Sequence, residues 1–177
     1  SADAAAALIA ANQVWQANLT YAKLAKLAAK LGADVPFAIN GGTAIGREAG
    51  DVLESLPELP ELHWVLIPNS KGLSTPKVYL KLDDLRTRQG INPVRAPKPK
   101  VPEELLKALE TGDPRLVAPL LHNDLQEAAI AMLPELQQTL DYGKEVRALR
   151  SIVSGSGPTV AMLALNKPDA ERIAREM

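Results

Sequence analysis

Three short polar segments carry the residue types that could handle phosphate. Ser1-Ala2-Asp3 leads into an alanine-rich run, Asp34 follows a Leu31-Gly32 pair, and Ser154-Gly155-Ser156-Gly157-Pro158 lies late in the chain. The free amides at a helix start bind phosphate, and a carboxylate can position a hydroxyl and accept its proton. Glycines let backbone approach a ligand without an intervening side chain. Together the three segments indicate phosphoryl-transfer chemistry.

Each segment also has a simpler interpretation. Ser1 and Asp3 could be simple capping residues of a helix, and Asp34 could be a turn or cap residue after Gly32. A Gly-Ser-Gly sequence is often an ordinary turn. A strand-like run, Thr159 to Leu165, follows the late glycines. Rossmann and Walker loops are followed by a helix, so this segment is neither of them.

Composition excludes several other classes of protein. Twenty basic and twenty-one acidic residues give a net charge of −1, with no excess positive charge for a nucleic-acid partner. The longest apolar run, Ala4 to Ala11, is too short for a membrane span. Cysteine is absent and only two histidines are present, which excludes a zinc cluster and favours structural roles for His63 and His122. We expect a cytoplasmic protein with no membrane partner.

The first third of the chain contains two predicted helices and a glycine-rich region. Asp3 to Val14 is dense in strong helix formers, and a second helix begins near Thr20 and closes at Gly32. From Val35 to Leu56, apolar pairs broken by glycines are typical of short antiparallel strands and turns. Two prolines between Leu56 and Glu61 predict a boundary, with domains at 1–56 and 57–177.

The rest of the chain mixes helices with short strands. We predict strands at Trp64–Ile67 and Thr159–Leu165, a surface loop at Asn92–Pro102, and helices at Thr75–Leu82, Glu103–Glu110, Leu116–Leu140 with a break at Pro134, and from Pro168 onward. Helices and sheets that are segregated along the chain indicate the α+β class. Thr75 and Tyr79 are four residues apart and share one helix face, so both could point into a pocket.

Six runs in this order resemble one enzyme family, the 4-diphosphocytidyl-2-C-methyl-D-erythritol kinases of the GHMP kinase superfamily. The runs are Ser1-Ala2-Asp3-Ala4-Ala5-Ala6-Ala7-Leu8, Leu31-Gly32-Ala33-Asp34-Val35-Pro36-Phe37, Gly41-Gly42-Thr43-Ala44, Ser74-Thr75-Pro76-Lys77-Val78-Tyr79, Asn123-Asp124-Leu125 and Gly155-Ser156-Gly157-Pro158-Thr159. The resemblance extends over almost the whole chain. It implies a two-domain fold, with 1–56 as the remnant of an ATP-binding N-terminal domain and 57–177 as the C-terminal domain.

The resemblance also implies an activity, which is ATP-dependent phosphorylation of a hydroxyl of a small metabolite in non-mevalonate isoprenoid synthesis. The cofactors would be ATP and Mg²⁺, and the substrate 4-diphosphocytidyl-2-C-methyl-D-erythritol. The family's phosphate loop has glycines before the position of Ser1, and its active site has a lysine that nothing here matches. We therefore interpret the chain as a fragment lacking an N-terminal region and the extreme C-terminus, and predict that it is inactive by itself.

Residue roles follow from the same resemblance. Asp34 corresponds to the catalytic aspartate, Ser1 and Ala2 to the last part of the phosphate cradle, and Ser1 also approaches the metal ion. Gly155, Ser156 and Gly157 correspond to the third motif beside the phosphates. Thr75 and Tyr79 would hold the cytidine end of the substrate, although Tyr79 could instead pack in the core with its hydroxyl at the surface. The role of Asp3 stays open.

Two other functions remain compatible with the sequence. One is a sister kinase of the superfamily that acts on homoserine or mevalonate. The other is a noncatalytic α+β module that uses the same scaffold for binding or regulation.

Overall fold

A computed structural model describes residues 1–96 and 99–177 of the chain. The chain forms two compact units, Ser1–Leu59 and Pro60–Met177. The separation falls inside the proline-containing segment Leu56–Glu61, where proline cannot continue a helix or a central strand. Assignment of the two units to the two family domains stays a prediction.

The first unit combines three helices with a β-hairpin. Its elements are α1 (Ala2–Val14), α2 (Tyr21–Leu31), α3 (Val35–Asn40), β1 (Ala44–Arg47) and β2 (Val52–Ser55). Ala5, Ala28 and Val35 are buried together, one from each helix, and the small alanines allow the helices to approach closely. β1 and β2 pair antiparallel, as the sequence predicted for this region.

Part of the expectation for Val35–Leu56 is wrong, because Val35–Asn40 forms the helix α3 instead of turns and strands. Pro36 lies in the first turn of this helix, where its missing N–H has no intrahelical partner to lose. Gly41, with φ of +68°, ends the helix. A six-residue helix is too short to show a clear apolar period, which explains why the pattern did not reveal it.

The second unit is built on a three-stranded antiparallel sheet. The strands are β3 (Trp64–Ile67), β4 (Arg150–Val153) and β5 (Val160–Leu163), in the order β3-β5-β4. The helices are α4 (Thr75–Arg88), α5 (Glu103–Thr111), α6 (Pro114–Val117), α7 (Gln126–Met132), α8 (Glu135–Glu145) and α9 (Lys167–Glu176). Two short 3₁₀ turns, Pro93–Arg95 and Ala118–Leu120, complete the described elements.

The two faces of this sheet pack against different helices. Val65, Val153, Val160 and Met162 belong to the main core, with buried residues of α4, α7, α8 and α9. On the opposite face, Leu163 belongs to a smaller cluster with residues of α5 and α6. Because side chains alternate along a strand, β5 contributes to both clusters, with Val160 and Met162 in the main core and Leu163 in the smaller cluster. This arrangement confirms the predicted α+β class.

Several predicted boundaries need correction. The helix that begins at Thr75 runs to Arg88, beyond the predicted end at Leu82, and β4 was not predicted at all. The predicted Leu116–Leu140 helix is interrupted by a non-helical stretch at residues 121–125 as well as at Pro134. The predicted loop Asn92–Pro102 contains the 3₁₀ turn Pro93–Arg95, and its residues 97 and 98 lie outside the described residues. Within the described parts of the chain, no helix is long and apolar enough to cross a membrane.

Candidate functional site

The late glycine segment forms the tight turn between β4 and β5. The Gly157 amide donates to the Ser154 carbonyl oxygen at 2.9 Å, and the Ser154 amide donates to the Thr159 oxygen at 2.8 Å. Gly155 and Gly157 have φ angles of +56° and +77°, in the left-handed region that glycine adopts at little cost. The two glycines therefore permit the turn.

The turn has one packed side and one open side. A Cβ atom on Gly157 would lie 3.1 Å from Val153 Cγ1 and 3.3 Å from Leu73 Cδ1, so this glycine sits against the core. A Cβ atom on Gly155 would meet no atom of the described structure within 4 Å. The backbone at Gly155 is thus accessible to a ligand, while Gly157 anchors the turn.

A side chain from the irregular stretch before α7 holds this turn. Asn123 Nδ2 donates to the Val153 oxygen at 2.7 Å and to the Gly155 oxygen at 2.8 Å. Its Oδ1 accepts from the Leu125 amide at 3.0 Å, which fixes the orientation of the amide group. One side chain therefore connects the end of β4, the glycine turn and the start of α7.

The beginning of α4 contributes a hydroxyl to the same turn. Thr75 Oγ1 and Ser156 Oγ are 2.8 Å apart, within hydrogen-bonding distance. Thr75 is the first residue of α4, a 14-residue helix whose first amides have no intrahelical acceptors. Two hydroxyls, one on exposed Thr75 and one on half-buried Ser156, and a helix start thus lie beside the glycine turn, a combination that can donate hydrogen bonds to an anion.

The segment before α4 is tied to α8 by polar contacts. Asn69 Nδ2 donates to Glu135 Oε1 at 2.8 Å, and Lys71 Nζ donates to Glu135 Oε2. The Lys71 amide also donates to Asn69 Oδ1 at 2.9 Å. The hydrogen bond from Lys71, followed by that from Asn69, lowers the pKa of Glu135 below its ordinary value. Glu135 is therefore ionised at neutral pH and restrains the segment that leads to Thr75.

An open groove of about 620 Å³ adjoins the turn on one face of the sheet. Its walls include Trp64, Leu66 and Ile152 from the strands and His122 and Asn123 from the irregular stretch. The His122 side chain is largely exposed, and its Nε2 lies 2.7 Å from Asp124 Oδ1. Asp124 also contacts Arg86 of α4, so a basic side chain lies on each side of this carboxylate.

The first unit carries the other predicted site residues. Ser1 and Asp34 occupy the N-cap positions of α1 and α3, and in the described structure neither side chain makes a capping hydrogen bond. Asp34 is exposed, and the next residue, Val35, is buried in the cluster that joins α1 and α3. Both side chains thus remain free of the capping bonds that the simpler interpretation required.

Comparisons with known proteins identify the family. The model described as GHMP kinases N terminal domain matches residues 1–42, and the model described as GHMP kinases C terminal matches residues 105–177. Together the two matches cover well over half of the chain. The chain belongs to the GHMP kinase family.

Similar proteins within this family share one name. The chain is 47% identical over 178 residues to 4-diphosphocytidyl-2-C-methyl-D-erythritol kinase of Salinispora tropica, with 100% of the chain and 55% of that protein covered. It is 45% identical over 178 residues to the protein of the same name from Paenarthrobacter aurescens, with the same two shares covered. The chain thus spans about half the length of these relatives.

Solved structures agree with this relationship. A crystal structure of 4-(cytidine 5'-diphospho)-2C-methyl-D-erythritol kinase superposes with a TM-score of 0.75 at 31% identity, covering 98% of this chain and 58% of the other. Homoserine kinase from Cytophaga hutchinsonii superposes with a TM-score of 0.65 at 18% identity, covering 97% of this chain and 56% of the other. The second match shows the shared GHMP kinase fold alone.

The predicted site residues of this GHMP kinase chain fall into two sets. Ser1, Ala2 and Asp34 belong to the first unit, whereas Thr75, Tyr79 and Gly155–Gly157 belong to the second. Within the second unit, Thr75 and Ser156 are in contact. Tyr79 is 54% exposed, so the alternative of a tyrosine packed in the core is wrong. Its predicted contact with a substrate stays a prediction.

Sequence reasoning missed the residues that organise the glycine turn. The sequence placed Asn123 in a family motif but predicted no contact for it, and it predicted no role for Leu73, which packs against Gly157. An Asn-Asp pair that interrupts an otherwise helical pattern was the available signal, because asparagine side chains compete with helical hydrogen bonding. Its partners, about thirty residues later, could not be found from local sequence.

Proposed function

We propose that this chain is part of an ATP-dependent kinase that phosphorylates the 2-hydroxyl of 4-diphosphocytidyl-2-C-methyl-D-erythritol in non-mevalonate isoprenoid synthesis. The observation that carries the proposal is the identity of 47% to a kinase of that name over the whole chain. The contact between Thr75 and Ser156 supports it, because two predicted ligand-binding segments meet there.

Asp34 is the proposed catalytic residue. An acceptor hydroxyl loses its proton during phosphoryl transfer, and an exposed carboxylate without a capping bond is free to orient that hydroxyl and accept the proton. Its position at the start of α3, next to buried Val35, gives the carboxylate a fixed backbone. The proton therefore passes from the substrate oxygen to an Asp34 oxygen.

Phosphate binding is assigned to two places. Ser1 and Ala2, at the start of the 13-residue helix α1, offer amides and a hydroxyl. Gly155, Ser156 and Gly157 offer the turn whose open side accepts a ligand without a steric clash at Gly155. ATP, when bound, would supply the phosphoryl group, and each of the two places is proposed as a phosphate contact within its own unit.

A magnesium ion would depend mainly on the nucleotide. Among the residues that the structure describes, no group of three or more acidic or histidine side chains could hold a metal ion. Mg²⁺ commonly keeps several waters and binds through substrate phosphates with few protein ligands, which fits the single hydroxyl of Ser1. The chain's own contribution to the ion would thus be small.

Thr75 and Tyr79 are proposed to bind the cytidine end of the substrate. They lie one turn apart on α4, and the exposed ring of Tyr79 is available for stacking on a base. Stacking on an aromatic side chain contributes roughly 1 to 3 kcal/mol per base. The Thr75 hydroxyl can exchange its contact with Ser156 for one with the substrate.

A chimeric enzyme tests the function directly. This chain replaces the aligned segment of the Salinispora tropica relative, which supplies the remaining length, and ADP release is measured with the cytidine-bearing substrate, homoserine and mevalonate. We expect turnover with the cytidine-bearing substrate alone, and a loss of at least about a hundredfold in kcat for Asp34→Asn.

Two controls make this result decisive. Asp3→Asn removes a carboxylate from the same unit, and we expect a smaller effect because no role in proton transfer is assigned to Asp3. The isolated chain is expected to show negligible turnover. Phosphorylation of homoserine or mevalonate in place of the cytidine-bearing substrate would favour the sister-kinase alternative, and an unchanged rate in Asp34→Asn would contradict the assignment of the base.

A further inference from the structure

The end of β4 has a backbone that the sheet does not satisfy. β4 is an edge strand, and Val153 pairs with Val160 of β5. The Ser154 amide bonds to the Thr159 oxygen, so the neighbouring Val153 pair is of the non-hydrogen-bonded type. The N–H and C=O of Val153 therefore point away from β5, toward the open edge.

Two side chains from one short segment satisfy these backbone groups. Asn123 Nδ2 donates to the Val153 oxygen at 2.7 Å, and Gln126 Oε1 accepts from the Val153 amide at 3.0 Å. The second proton of Asn123 Nδ2 goes to the Gly155 oxygen at 2.8 Å.

We propose that Asn123 is a positioning residue that holds the Gly155–Gly157 turn in its ligand-binding conformation; this inference rests on the proposed function of that turn. Both Nδ2 protons are used on backbone oxygens, one at the strand end and one inside the turn, and Oδ1 is held by the Leu125 amide. The side chain thus fixes the distance between Val153 and Gly155 oxygens, and with it the direction of the turn.

The chemistry requires a donor at this position. A carboxylate of the same shape has no proton to donate and would face two carbonyl oxygens, which repel it. Gln126 differs, because its bond to the Val153 amide uses only an acceptor oxygen. Glutamate at position 126 can keep that bond, so Gln126→Glu adds the same charge beside the turn without removing the hydrogen bond.

Amide exchange and two-dimensional NMR on the 177-residue chain test the inference. The variants are Asn123→Asp, Gln126→Glu as the matched charge control, and Asn123→Ser, which keeps one donor. In Asn123→Asp we expect the Gly157 amide to exchange about tenfold faster and the Gly155 and Gly157 signals to shift, while the Leu163 amide in the sheet keeps its exchange rate. Gln126→Glu should match the original chain, and Asn123→Ser should lie between.

Acidification gives a second readout from the same variant. A protonated aspartate has one O–H donor, so lowering the pH through the pKa of the new carboxyl should partly restore the signals of the turn. Gln126→Glu should show no such recovery. If Asn123→Asp does not fold and loses its sheet signals, Asn123→Ser is compared with the original chain instead, and its Gly157 amide should exchange faster than in the original chain.

Inorganic triphosphate then separates this inference from the proposed function. We expect it to shift the Gly155 and Gly157 signals in the original chain and in Gln126→Glu, and to bind about tenfold more weakly in Asn123→Asp. No response in the original chain would contradict phosphate binding at the turn, while the exchange data would still report on Asn123. Unchanged exchange and unchanged glycine signals in Asn123→Asp would overturn the positioning role.

Discussion

Alanine substitutions at Gly155 and Gly157 should separate the packing of the turn, which depends on Gly157, from its proposed phosphate binding, which depends on the open side at Gly155. Both glycines have positive φ, so both variants carry a conformational cost of roughly 1 to 2 kcal/mol. Both also gain about 0.4 to 1 kcal/mol because alanine restricts the unfolded chain. These two contributions are shared, and they largely cancel when the variants are compared with each other.

Packing is what distinguishes the two sites. The new methyl group at Gly157 would lie 3.1 Å from Val153 Cγ1 and 3.3 Å from Leu73 Cδ1, whereas the one at Gly155 would have no described atom within 4 Å. Forcing an extra methyl group into a packed region costs about 1 to 3 kcal/mol. We therefore expect Gly157→Ala to lower the free energy of unfolding of the second unit by about 1 to 3 kcal/mol more than Gly155→Ala does.

Tryptophan fluorescence during urea denaturation measures this difference. The chain has one tryptophan in each unit, Trp15 and Trp64, so a Trp15→Phe background leaves Trp64 as the reporter of the second unit. In the same background, Gly155→Ala should weaken triphosphate binding, because its methyl group occupies the open side of the turn. Equal stability of the two variants, or a greater loss in Gly155→Ala, would refute the reasoning.

The remaining predictions concern the ion pair before α4 and the proposed base-stacking residue. Because Lys71 lowers the pKa of Glu135, the stabilisation from this pair is complete above the ordinary value of 4.5 and disappears as the pH falls through the lowered pKa. The difference in Tm between the original chain and Glu135→Gln should therefore vanish in acid, and a difference that grows in acid would contradict the assignment. Tyr79→Ala in the chimeric kinase should raise KM for the cytidine-bearing substrate about tenfold, while Leu80→Ala, a neighbouring exposed residue of α4, serves as the control and should change it little.

Local patterns predicted the elements whose signals lie within one segment. Alanine and leucine in α1, the glycine at the end of α2 and the short apolar run of β3 each led to an element near its observed bounds. The physical reason is that helix propensity, glycine termination and strand alternation act over a few residues. Six ordered motifs also sufficed to indicate the family.

Tertiary contacts decided the features that local patterns got wrong. The sequence pattern at residues 121–125 predicts a helix, yet the structure has none there. Asn123 in this stretch instead donates hydrogen bonds to the Val153 and Gly155 oxygens. β4 has a weak strand pattern of four residues and exists because β5 pairs with it along its whole length. Strand pairing and side-chain bonds to a distant backbone override a weak local preference.

The sequence by itself determined which residue types are available for phosphate chemistry, namely the Asp34 carboxylate, the hydroxyls of Ser1 and Ser156, and the glycines Gly155 and Gly157. Only the tertiary structure decided that Thr75 touches Ser156, that Gly157 is packed and Gly155 open, and that the glycine turn is held by Asn123. The physical reason is that hydrogen bonds and van der Waals contacts depend on distances in space. Residues separated by thirty or eighty positions acquire such distances only when the sheet and helices pack.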